Sequence, residues 1–595
     1  MAIQGWKRTV ECGLVNEKNL NQEIVLNGWV ARRRDHGGLI FVDLRDRTGI
    51  MQVVFNPDYS KESHDVAQAL RSEFVISVAG KVIQRTAEAV NEKMATGKFE
   101  LQVTTITVLN TAKTLPFSLE EGDKIDEELR LRYRYLDLRR PEMQQRLALR
   151  SIVLFTMREF FMQRGFFEIE TPILTKNTPE GAREFLVPSR LHHGSVYSLP
   201  QSPQLYKQLL MAGGIERYFQ IARCFRDEDL RADRQPEFTQ LDIEMSFIDA
   251  DDIRGVIDQM LVHLFKKIFN IDIKLPLPVI TYQQAFHEFG SDKPDLRFGM
   301  PIRDVSSLFA HTELKFLQTV LEKGGKIGAL HVSKVAFTRS QLDSWVTKAQ
   351  EYGSKGLLYV RFAADGSIES PVANFLPKDF FEKAKEVFTE LAHGDTLFFV
   401  AGQYKATWEI LGRLRVGLGK ELGLINPDIL HLCWVVDFPL FELDEETGRW
   451  NSVHHPFTAP AAGWENQTPD QMTAQAYDLV CNGMELGGGS IRIYNKEMQA
   501  KVFELLGLKQ EDMDKKFGFL LEALEYGFPP LGGIALGIDR FIMILAKVNS
   551  IREVIAFPKT QRGYDPMMQA PTTAESSALR EYGLSLLQKD KSKKD

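Results

Sequence analysis

The sequence is poor in cysteine and has no long apolar run. Its 595 residues include four cysteines, scattered along the chain without a CxxC pair: Cys12, Cys224, Cys433 and Cys481. This spacing argues against a disulfide framework and predicts reduced, mostly buried thiols rather than a zinc site. Because no apolar run is long enough to cross a bilayer and residues 1–6 do not begin a signal peptide, we expect a cytoplasmic protein with no membrane partner.

The chain also lacks a strong excess of charge of either sign. Its formal net charge is −7, with 26% charged and 44% hydrophobic residues, as in an ordinary globular protein. This mild acidity argues only weakly against nucleic acid as a partner, because binding surfaces are local. Two basic segments, residues 32–34 and 130–140, suit a phosphate backbone, although a solvated face explains the second equally well.

Residues 24–109 alternate apolar and polar positions at the period of a β-strand. Short turns such as Gly37-Gly38 separate the segments, and one helix-like stretch, residues 64–70, interrupts them. This pattern predicts a small closed barrel of the OB type. Such barrels often bind single-stranded nucleic acid, with aromatic side chains stacking on the bases.

The remainder of the chain divides by composition and periodicity. Apolar positions at helical spacing predict a helix over residues 145–164 that ends at Gly165. The charged tail, residues 589–595, is expected to be disordered. The predicted parts are, in order, the barrel (1–110), a linker (111–140), a core domain in two pieces (141–290 and 421–560) around an inserted α+β domain (291–420), and a C-terminal extension (561–595).

A charged segment between two apolar strands is the strongest single signal. It reads Phe225-Arg226-Asp227-Glu228-Asp229 and is followed by Gln235-Pro236-Glu237-Phe238. A solvated hairpin tip is the simplest explanation. However, Arg226 directly follows an apolar strand, and a guanidinium there suits a phosphate, which it binds through two hydrogen bonds.

Two glycine-rich strands indicate close approach of a ligand or of another backbone. Residues 485–492 place three glycines between Glu485 and Arg492. Residues 532–541 run from a glycine-rich strand into a helix whose first turn carries Arg540. Because a cation is unfavourable at a helix N-terminus, Arg540 is expected to face a phosphate or a carboxylate.

Two further segments carry polar residues in positions that suit a site. The loop 178–183 holds Glu180 between turn-forming residues and is either a surface turn or a lid. Residues 201–207 begin a helix, where ordinary capping explains Ser202 but not Gln204 together with Lys207.

Together these segments closely resemble the class II aminoacyl-tRNA synthetases, and within them the bacterial aspartyl type, over residues 5–560. The three motifs of the class match residues 165–172, 225–244 and 532–540. Lysyl enzymes share the barrel and the motifs but lack an arginine like Arg492, aimed at the amino-acid side chain. The resemblance implies a multidomain α/β and α+β fold, whose catalytic domain is a mixed antiparallel sheet with flanking helices, and a homodimer joined through the first motif.

The resemblance also implies a role for individual residues. The catalytic residues would be Arg226, Glu228 and Arg540. L-Aspartate would bind to Glu180, Ser202, Gln204, Lys207, Arg226, Gln240, Asp242, His454, His455 and Arg492. ATP would bind to Arg226, Asp227, Glu228, Gln235, Phe238, Glu485, Gly537, Ile538, Asp539 and Arg540. Asp478 and Glu485 would hold Mg²⁺.

The implied reaction has two steps, formation of aspartyl-adenylate from ATP and transfer of the aspartyl group to tRNA, with catalysis by positioning and charge neutralisation. Arg492 would exclude asparagine, which would leave its guanidinium without a counter-charge. Two other functions stay open: an inactive tRNA-binding paralogue, and an asparagine synthetase on the same scaffold.

The anticodon would be read by the barrel, through Arg34, His36, Phe41, Gln52 and Glu100. Members of the family that are strict for the aspartate tRNA tend to have leucine where this chain has His36, and relaxed members tend to have histidine. We therefore expect both tRNA-Asp and tRNA-Asn as partners, with strict specificity as the alternative if His36 is a neutral substitution.

Overall fold

The computed structural model describes residues 6–177 and 182–586. The predicted lid residue Glu180 and the charged tail lie outside the described residues. The chain forms two compact units, one containing residues up to Leu149 with Arg552–Thr572, the other containing Arg150–Ile551 with the residues after Thr572. Each unit is described by itself.

The first unit begins with a closed five-stranded barrel. Its strands follow the order β1-β2-β3-β5-β4, and only the β3–β5 pair is parallel. Alternate residues of each strand, such as Leu26, Val42 and Leu101, are fully buried in the barrel core. The elements are β1 (Glu23–His36), β2 (Leu39–Asp46), β3 (Gly49–Phe55), α1 (Lys61–Gln68), β4 (Val75–Gln84) and β5 (Phe99–Asn110).

The segment predicted as a linker folds into two short helices, α2 (Glu127–Arg132) and α3 (Arg134–Asp137), before the long helix α4 (Pro141–Met162). Three of its five arginines are buried, so for these three both expectations, a solvated face and a phosphate site, were wrong, whereas Arg132 is exposed and Arg139 is half-buried. Arg134, Arg130 and Arg140 are buried around the fully buried Asp137. The guanidinium of Arg134 also donates to the backbone carbonyls of residues 552, 555 and 556. These three arginines are therefore used within the protein.

The second unit opens with strands and helices that build half of its main sheet. In chain order they are β6 (Phe167–Glu168), β7 (Leu186–Pro188), β8 (Val196–Ser198), α5 (Gln204–Ala212), β9 (Arg217–Phe225), β10 (Glu237–Ser246), α6 (Ala250–Phe269), β11 (Val279–Thr281) and α7 (Tyr282–Phe289).

An inserted segment follows, with its own five-stranded sheet in the order β12-β13-β16-β14-β15 and its own apolar core. Its elements are β12 (Arg303–Asp304), α8 (Lys315–Glu322), β13 (Lys326–Val332), α9 (Arg339–Glu351), β14 (Leu358–Phe362), β15 (Ile368–Glu369), α10 (Phe380–Val387), β16 (Thr396–Gly402) and α11 (Tyr404–Glu421).

The chain then returns to the main sheet, which has eight strands in the order β11-β17-β20-β21-β22-β10-β9-β6 and is mostly antiparallel. The returning elements are β17 (Leu432–Val436), β18 (Phe441–Asp444), β19 (Arg449–Ser452), β20 (Ala476–Cys481), β21 (Met484–Ile491), α12 (Lys496–Leu505), α13 (Gln510–Ala523), β22 (Leu531–Gly537), α14 (Ile538–Leu545) and α15 (Ser576–Glu581).

The predicted fold class is confirmed: a closed barrel, a mixed sheet with flanking helices and an inserted α+β segment. The predicted division into six parts stays a prediction. All four cysteines are buried thiols that form no disulfide bond. Among the residues that the structure describes, no helix is both long and apolar enough to span a lipid bilayer.

Candidate active site

One cavity, of about 510 Å³, lies over the centre of the eight-stranded sheet. It brings together residues that the sequence spreads over more than three hundred positions. The predicted residues on its wall are Ser202, Gln204, Lys207, Arg226, Glu228, Gln235, Phe238, Gln240, Asp242, His454, His455, Asp478, Glu485, Arg492, Gly537, Asp539 and Arg540.

Two predicted ATP residues do not line the cavity. Asp227 is exposed on the loop after β9, and its backbone N–H donates to the carbonyl of Arg183. The side chain of Ile538 is fully buried in the core. A third predicted residue, Asp539, lies on the wall, but both of its carboxylate oxygens are engaged, one with Arg150 and one with the backbone N–H of Thr239. Asp539 therefore ties the start of α14 to β10.

The strand register explains how the cavity wall is assembled. Four residues on neighbouring strands lie side by side across the sheet. They are, on β10, β22, β21 and β20 in turn, Asp242, Ala535, Gly488 and Asp478. Two residues further along β10, Glu244 lies opposite Gly533 of β22. The acids of two strands, β10 and β20, are thus presented on one face.

The glycines of β21 and β22 make room for these acids. A Cβ atom on Gly533 would overlap a carboxylate oxygen of Glu244, and one on Gly488 would overlap Asp478. The sequence predicted a close approach of a ligand or a backbone. The structure adds buried carboxylates as a reason for glycine at these two positions.

A cluster of four buried charges forms the inner end of the cavity. Lys207 lies 3.1 Å from Asp242 and 3.3 Å from Glu244. Arg492 donates from Nε and Nη2 to the two oxygens of Glu244, at 2.8 and 3.1 Å. Each of the four side chains is at most 2% exposed. Two cations are therefore balanced by two carboxylates, and the expectation that Arg492 lacks a counter-charge before substrate binds was wrong.

The remaining donors of Arg492 fix its orientation. Nη1 donates to Nε2 of His455 at 2.6 Å and to the hydroxyl of Ser490 at 2.7 Å. Burial, and then the charge of Arg492, hold the pKa of His455 well below its usual value, so the ring is neutral and can accept this bond. Burial lowers the pKa of His454 to about 4. Of the two histidines, His455 is the one that bonds Arg492.

The outer end of the cavity carries unpaired donor capacity suited to phosphate. The guanidinium of Arg226 lies 5.1 Å from the ring centre of Phe238, and in the described part of the chain its buried Nε has no hydrogen-bond partner. Arg540 donates to the carbonyl of Glu485 and to Asp233. Nearby, Glu228 accepts from Arg234 at 3.0 Å. The ring of Phe238 can stack on a nucleotide base, and the guanidinium of Arg226 beside it can bind the α-phosphate.

Asp478 and Glu485 could hold a divalent cation. Burial, and then the charges of Glu485 and Asp292, raise the pKa of Asp478 well above its usual value. Within the described residues its Oδ1 is buried without a partner. An orphaned carboxylate oxygen beside a second carboxylate fits Mg²⁺. Since the residues described contain no group of three or more such ligands, the remaining positions would be filled by phosphate oxygens and water.

Three of the five residues predicted to read nucleic acid, Arg34, Gln52 and Glu100, form one chain of contacts on the barrel. Arg34 donates to Asp43 at 2.7 Å and to Gln52 at 3.4 Å, and Gln52 donates to Glu100 at 3.0 Å. Phe41 pairs across the strands with Arg34 and is half-buried.

His36 is exposed at the end of β1, directly before a two-residue turn. Both glycines of that turn, Gly37 and Gly38, have positive φ, as a tight hairpin requires. A ring nitrogen of His64 lies 3.1 Å from the carbonyl oxygen of Gly38. The turn therefore has a fixed support and presents His36 to solvent.

Several charged residues of the site were missed in the sequence, among them Glu244, Asp233 and Lys293. Glu244 alternates with the apolar residues of its strand, which is also where a solvated acid is found, so the sequence alone gives no signal of its burial. Asp233 lies inside the charged loop but resembles its neighbours. Lys293 follows α7 in a segment with no distinctive pattern.

Comparison with known proteins agrees with this geometry. Residues 126–561 match the family described as tRNA synthetases class II (D, K and N), and residues 24–109 match the OB-fold nucleic acid binding domain. An aspartate–tRNA ligase from Listeria welshimeri is 50% identical over 594 residues, which is 98% of this chain and 99% of that one. An aspartate–tRNA(Asp/Asn) ligase from Bacillus subtilis is 49% identical over 590 residues, covering 98% and 99%.

Solved structures share the fold. An asparaginyl-tRNA synthetase from Pyrococcus horikoshii with bound asparaginyl-adenylate superposes with a TM-score of 0.58 at 19% identity, covering 93% of this chain and 98% of that one. An aspartyl-tRNA synthetase from Entamoeba histolytica gives a TM-score of 0.55 at 18% identity, covering 91% and 89%.

Proposed function

Since the chain belongs to the class II aminoacyl-tRNA synthetases, as an aspartate–tRNA ligase, we propose that the cavity over its main sheet makes aspartyl-adenylate from L-aspartate and ATP and then charges tRNA. The observation that carries this proposal is the buried Lys207–Arg492 pair at the inner end of the cavity. Ammonium and guanidinium groups only donate hydrogen bonds, so together they suit the side-chain carboxylate of aspartate.

Selection against asparagine follows from the same donors. Arg492 is already paired with Glu244, so selection cannot depend on an uncompensated guanidinium. Instead, the amide NH₂ of asparagine would face donors of Lys207 and Arg492 with no acceptor of its own, whereas both oxygens of aspartate can accept. The neutral His455 holds Arg492 in place and takes up the Nη1 donor that would otherwise be free.

The first step is an in-line attack of the aspartate α-carboxylate on the α-phosphorus of ATP, which releases pyrophosphate. Arg226 would hold the α-phosphate and the attacking carboxylate together, with the adenine on Phe238 and its amino group at Glu228. Arg540 would bind the γ-phosphate, and in doing so would exchange its bond to Asp233 for a phosphate bond. Positioning and neutralisation of developing charge are enough for this chemistry.

In the second step a terminal hydroxyl of tRNA attacks the mixed anhydride and AMP leaves. No side chain acts as a nucleophile in either step. Asp478 and Glu485 would hold Mg²⁺, which when bound supplies charge neutralisation at the phosphates. Gln204, Gln240 and Ser202 would complete the aspartate pocket, and Gln235 the nucleotide pocket.

We propose relaxed tRNA specificity. The barrel, as the anticodon-binding domain, would use Arg34, Phe41, Gln52 and Glu100 for the bases shared by the two anticodons, and His36 for the base that differs. Relaxed specificity is supported by the exposed position of His36 beside a turn that His64 contacts, and by the name of the Bacillus subtilis relative. Because charged tRNA is consumed in translation, we also place the enzyme in the cytoplasm.

We further propose a homodimer. Large apolar side chains are exposed in succession on α4 and on the segment of the first class motif that follows it: Ile152, Phe155, Met162, Phe167, Ile173 and Leu174. An apolar stripe of this size is typical of a surface that another chain covers. Sedimentation analysis at micromolar concentration should give twice the chain mass.

Aspartylation of purified tRNA-Asp and tRNA-Asn by wild-type enzyme and by the His36→Leu variant tests the tRNA proposal. Wild-type enzyme should charge both tRNAs, and the variant should lose activity on tRNA-Asn while retaining it on tRNA-Asp. If wild-type enzyme makes no aspartyl-tRNA-Asn, relaxed specificity is wrong, whereas absence of product with either tRNA would overturn the ligase activity itself.

A further inference from the structure

Lys293 is a cation in the active-site cavity that the aspartate and nucleotide roles above leave unexplained. Its ammonium lies 3.0 Å from Oε2 of Glu485 and 3.9 Å from Asp292. The side chain is 38% exposed and lines the same cavity wall as Arg540. It is therefore placed at the metal-binding carboxylates, at the phosphate end of the cavity.

The loop that carries Lys293 is held rigidly. The fully buried Arg415, on the last helix of the inserted segment, donates to the backbone carbonyls of residues 295, 298, 299 and 300. The carboxylate of Asp295 is in turn bonded twice by the guanidinium of Arg297. The backbone that follows Lys293 is therefore preorganised, while its partly exposed side chain can change partners.

The arrangement also creates a conflict of charge. Lys293 is the direct counter-ion of Glu485, which is one of the two carboxylates that fit a divalent cation. A cation bound there must share Glu485 with the ammonium or displace it. A displaced Lys293 stays within the cavity, beside the position where the β- and γ-phosphates lie if Arg540 binds them.

We propose that Lys293 is a phosphate-binding residue of the adenylation reaction, which neutralises Glu485 in the free enzyme and binds the pyrophosphate portion of ATP when nucleotide is present. The inserted segment takes part in the active site through Arg415, which acts as a positioning residue for Lys293. This inference rests on the proposed assignment of Asp478 and Glu485 to a divalent cation.

The proposal predicts opposite effects on two ligands, which binding measurements can separate. In Lys293→Met, Mn²⁺ alone should bind about two- to fivefold more tightly, because a competing, partly exposed ion pair is removed. Pyrophosphate with Mg²⁺ should bind on the order of tenfold more weakly, because a charge-assisted bond is lost. Lys293→Arg should restore pyrophosphate binding, and Lys547→Met, which removes an exposed lysine paired with Asp428, should change neither.

Arg415→Met tests the positioning role. It should weaken pyrophosphate binding in the same direction as Lys293→Met, while the affinity for aspartate stays unchanged. If Arg415→Met unfolds the protein, Lys293→Met carries the test alone, with an unchanged aspartate affinity as evidence that the site is intact.

Several results would overturn the proposal. Unchanged pyrophosphate affinity in Lys293→Met would exclude the phosphate role, and weaker binding of both Mn²⁺ and pyrophosphate would make Lys293 a structural residue. Asp478→Asn separates this failure from failure of the metal site. If that variant binds Mn²⁺ as well as wild type, then the metal assignment is wrong and the Lys293 proposal fails with it.

Discussion

Replacing Arg492 by lysine keeps the positive charge of the inner cluster but removes the guanidinium fork. In the wild type, all but one of the N–H groups of Arg492 are engaged, two with Glu244 and one each with His455 and Ser490. Only one donor on Nη2 remains for a substrate. A lysine ammonium has fewer donors and no fixed plane, so it cannot keep this set and also meet the aspartate carboxylate.

The expected loss follows from the one bond to the substrate that lysine cannot make while it also keeps the internal set. A buried hydrogen bond between charged groups contributes up to about 3 kcal/mol. Since about 1.4 kcal/mol corresponds to a factor of ten, kcat/KM for aspartate should fall about 100-fold. The KM for ATP should change less than about threefold, because Arg226, Phe238 and Arg540 are untouched.

The assay is ATP–pyrophosphate exchange, with aspartate and ATP varied in turn. The matched control is Arg223→Lys. It alters an exposed arginine of β9 that pairs with Glu237 of β10, and it should have no effect. This explanation is refuted if Arg492→Lys uses aspartate within about threefold of wild type, or if its KM for ATP, measured at saturating aspartate, rises as much as its KM for aspartate.

Other expected outcomes can be checked separately. Arg226→Ala should abolish pyrophosphate exchange, and exchange near the wild-type rate would remove Arg226 from the reaction. Because the fold depresses the pKa of His454 from 6.5 to about 4, the stability that this neutral ring contributes is full above pH 6.5 and falls as pH drops towards 4. The free energy of unfolding, measured with urea, should therefore fall by about 2 kcal/mol between pH 6.5 and pH 5 in the wild type, and by less in His454→Asn. An equal pH dependence in both proteins would contradict the lowered pKa of His454. Arg134→Met should speed hydrogen exchange over residues 552–556, whose carbonyls it leaves unpaired, and unchanged protection there would show that the arginine is dispensable.

Local patterns were enough to predict much of the fold. The alternation of apolar and polar residues predicted the barrel, and the helical spacing over residues 145–164 predicted most of the long helix α4 (Pro141–Met162). Arg226 and Arg540 were found because each follows a strand or begins a helix at a point where a cation has no local partner.

Pairings between distant residues were not predictable in the same way. The bond between Arg492 and Glu244 joins positions 248 apart, and it depends on the register of three strands, β10, β22 and β21. Without that register, Arg492 looked like a cation awaiting the substrate, when it is already neutralised. The same limit applies to Lys293, whose partner Glu485 is 192 positions away.

The basic segment at residues 130–140 was misjudged for a related reason. A run of arginines on the sequence has the composition of a phosphate-binding surface, and the partners that bury it are not all nearby. Asp137 lies within the run, but Glu553 and the carbonyls that accept from Arg134 are more than four hundred positions away. Composition alone cannot distinguish a basic surface from a set of buried ion pairs.

The account depends most directly on selection of aspartate by the donors of Lys207 and Arg492. Pyrophosphate exchange by the wild-type enzyme, with aspartate and asparagine compared at equal concentrations, measures this selection before any tRNA is involved. The account predicts exchange with aspartate and a kcat/KM for asparagine at least about a thousandfold lower. Comparable exchange with asparagine would contradict it.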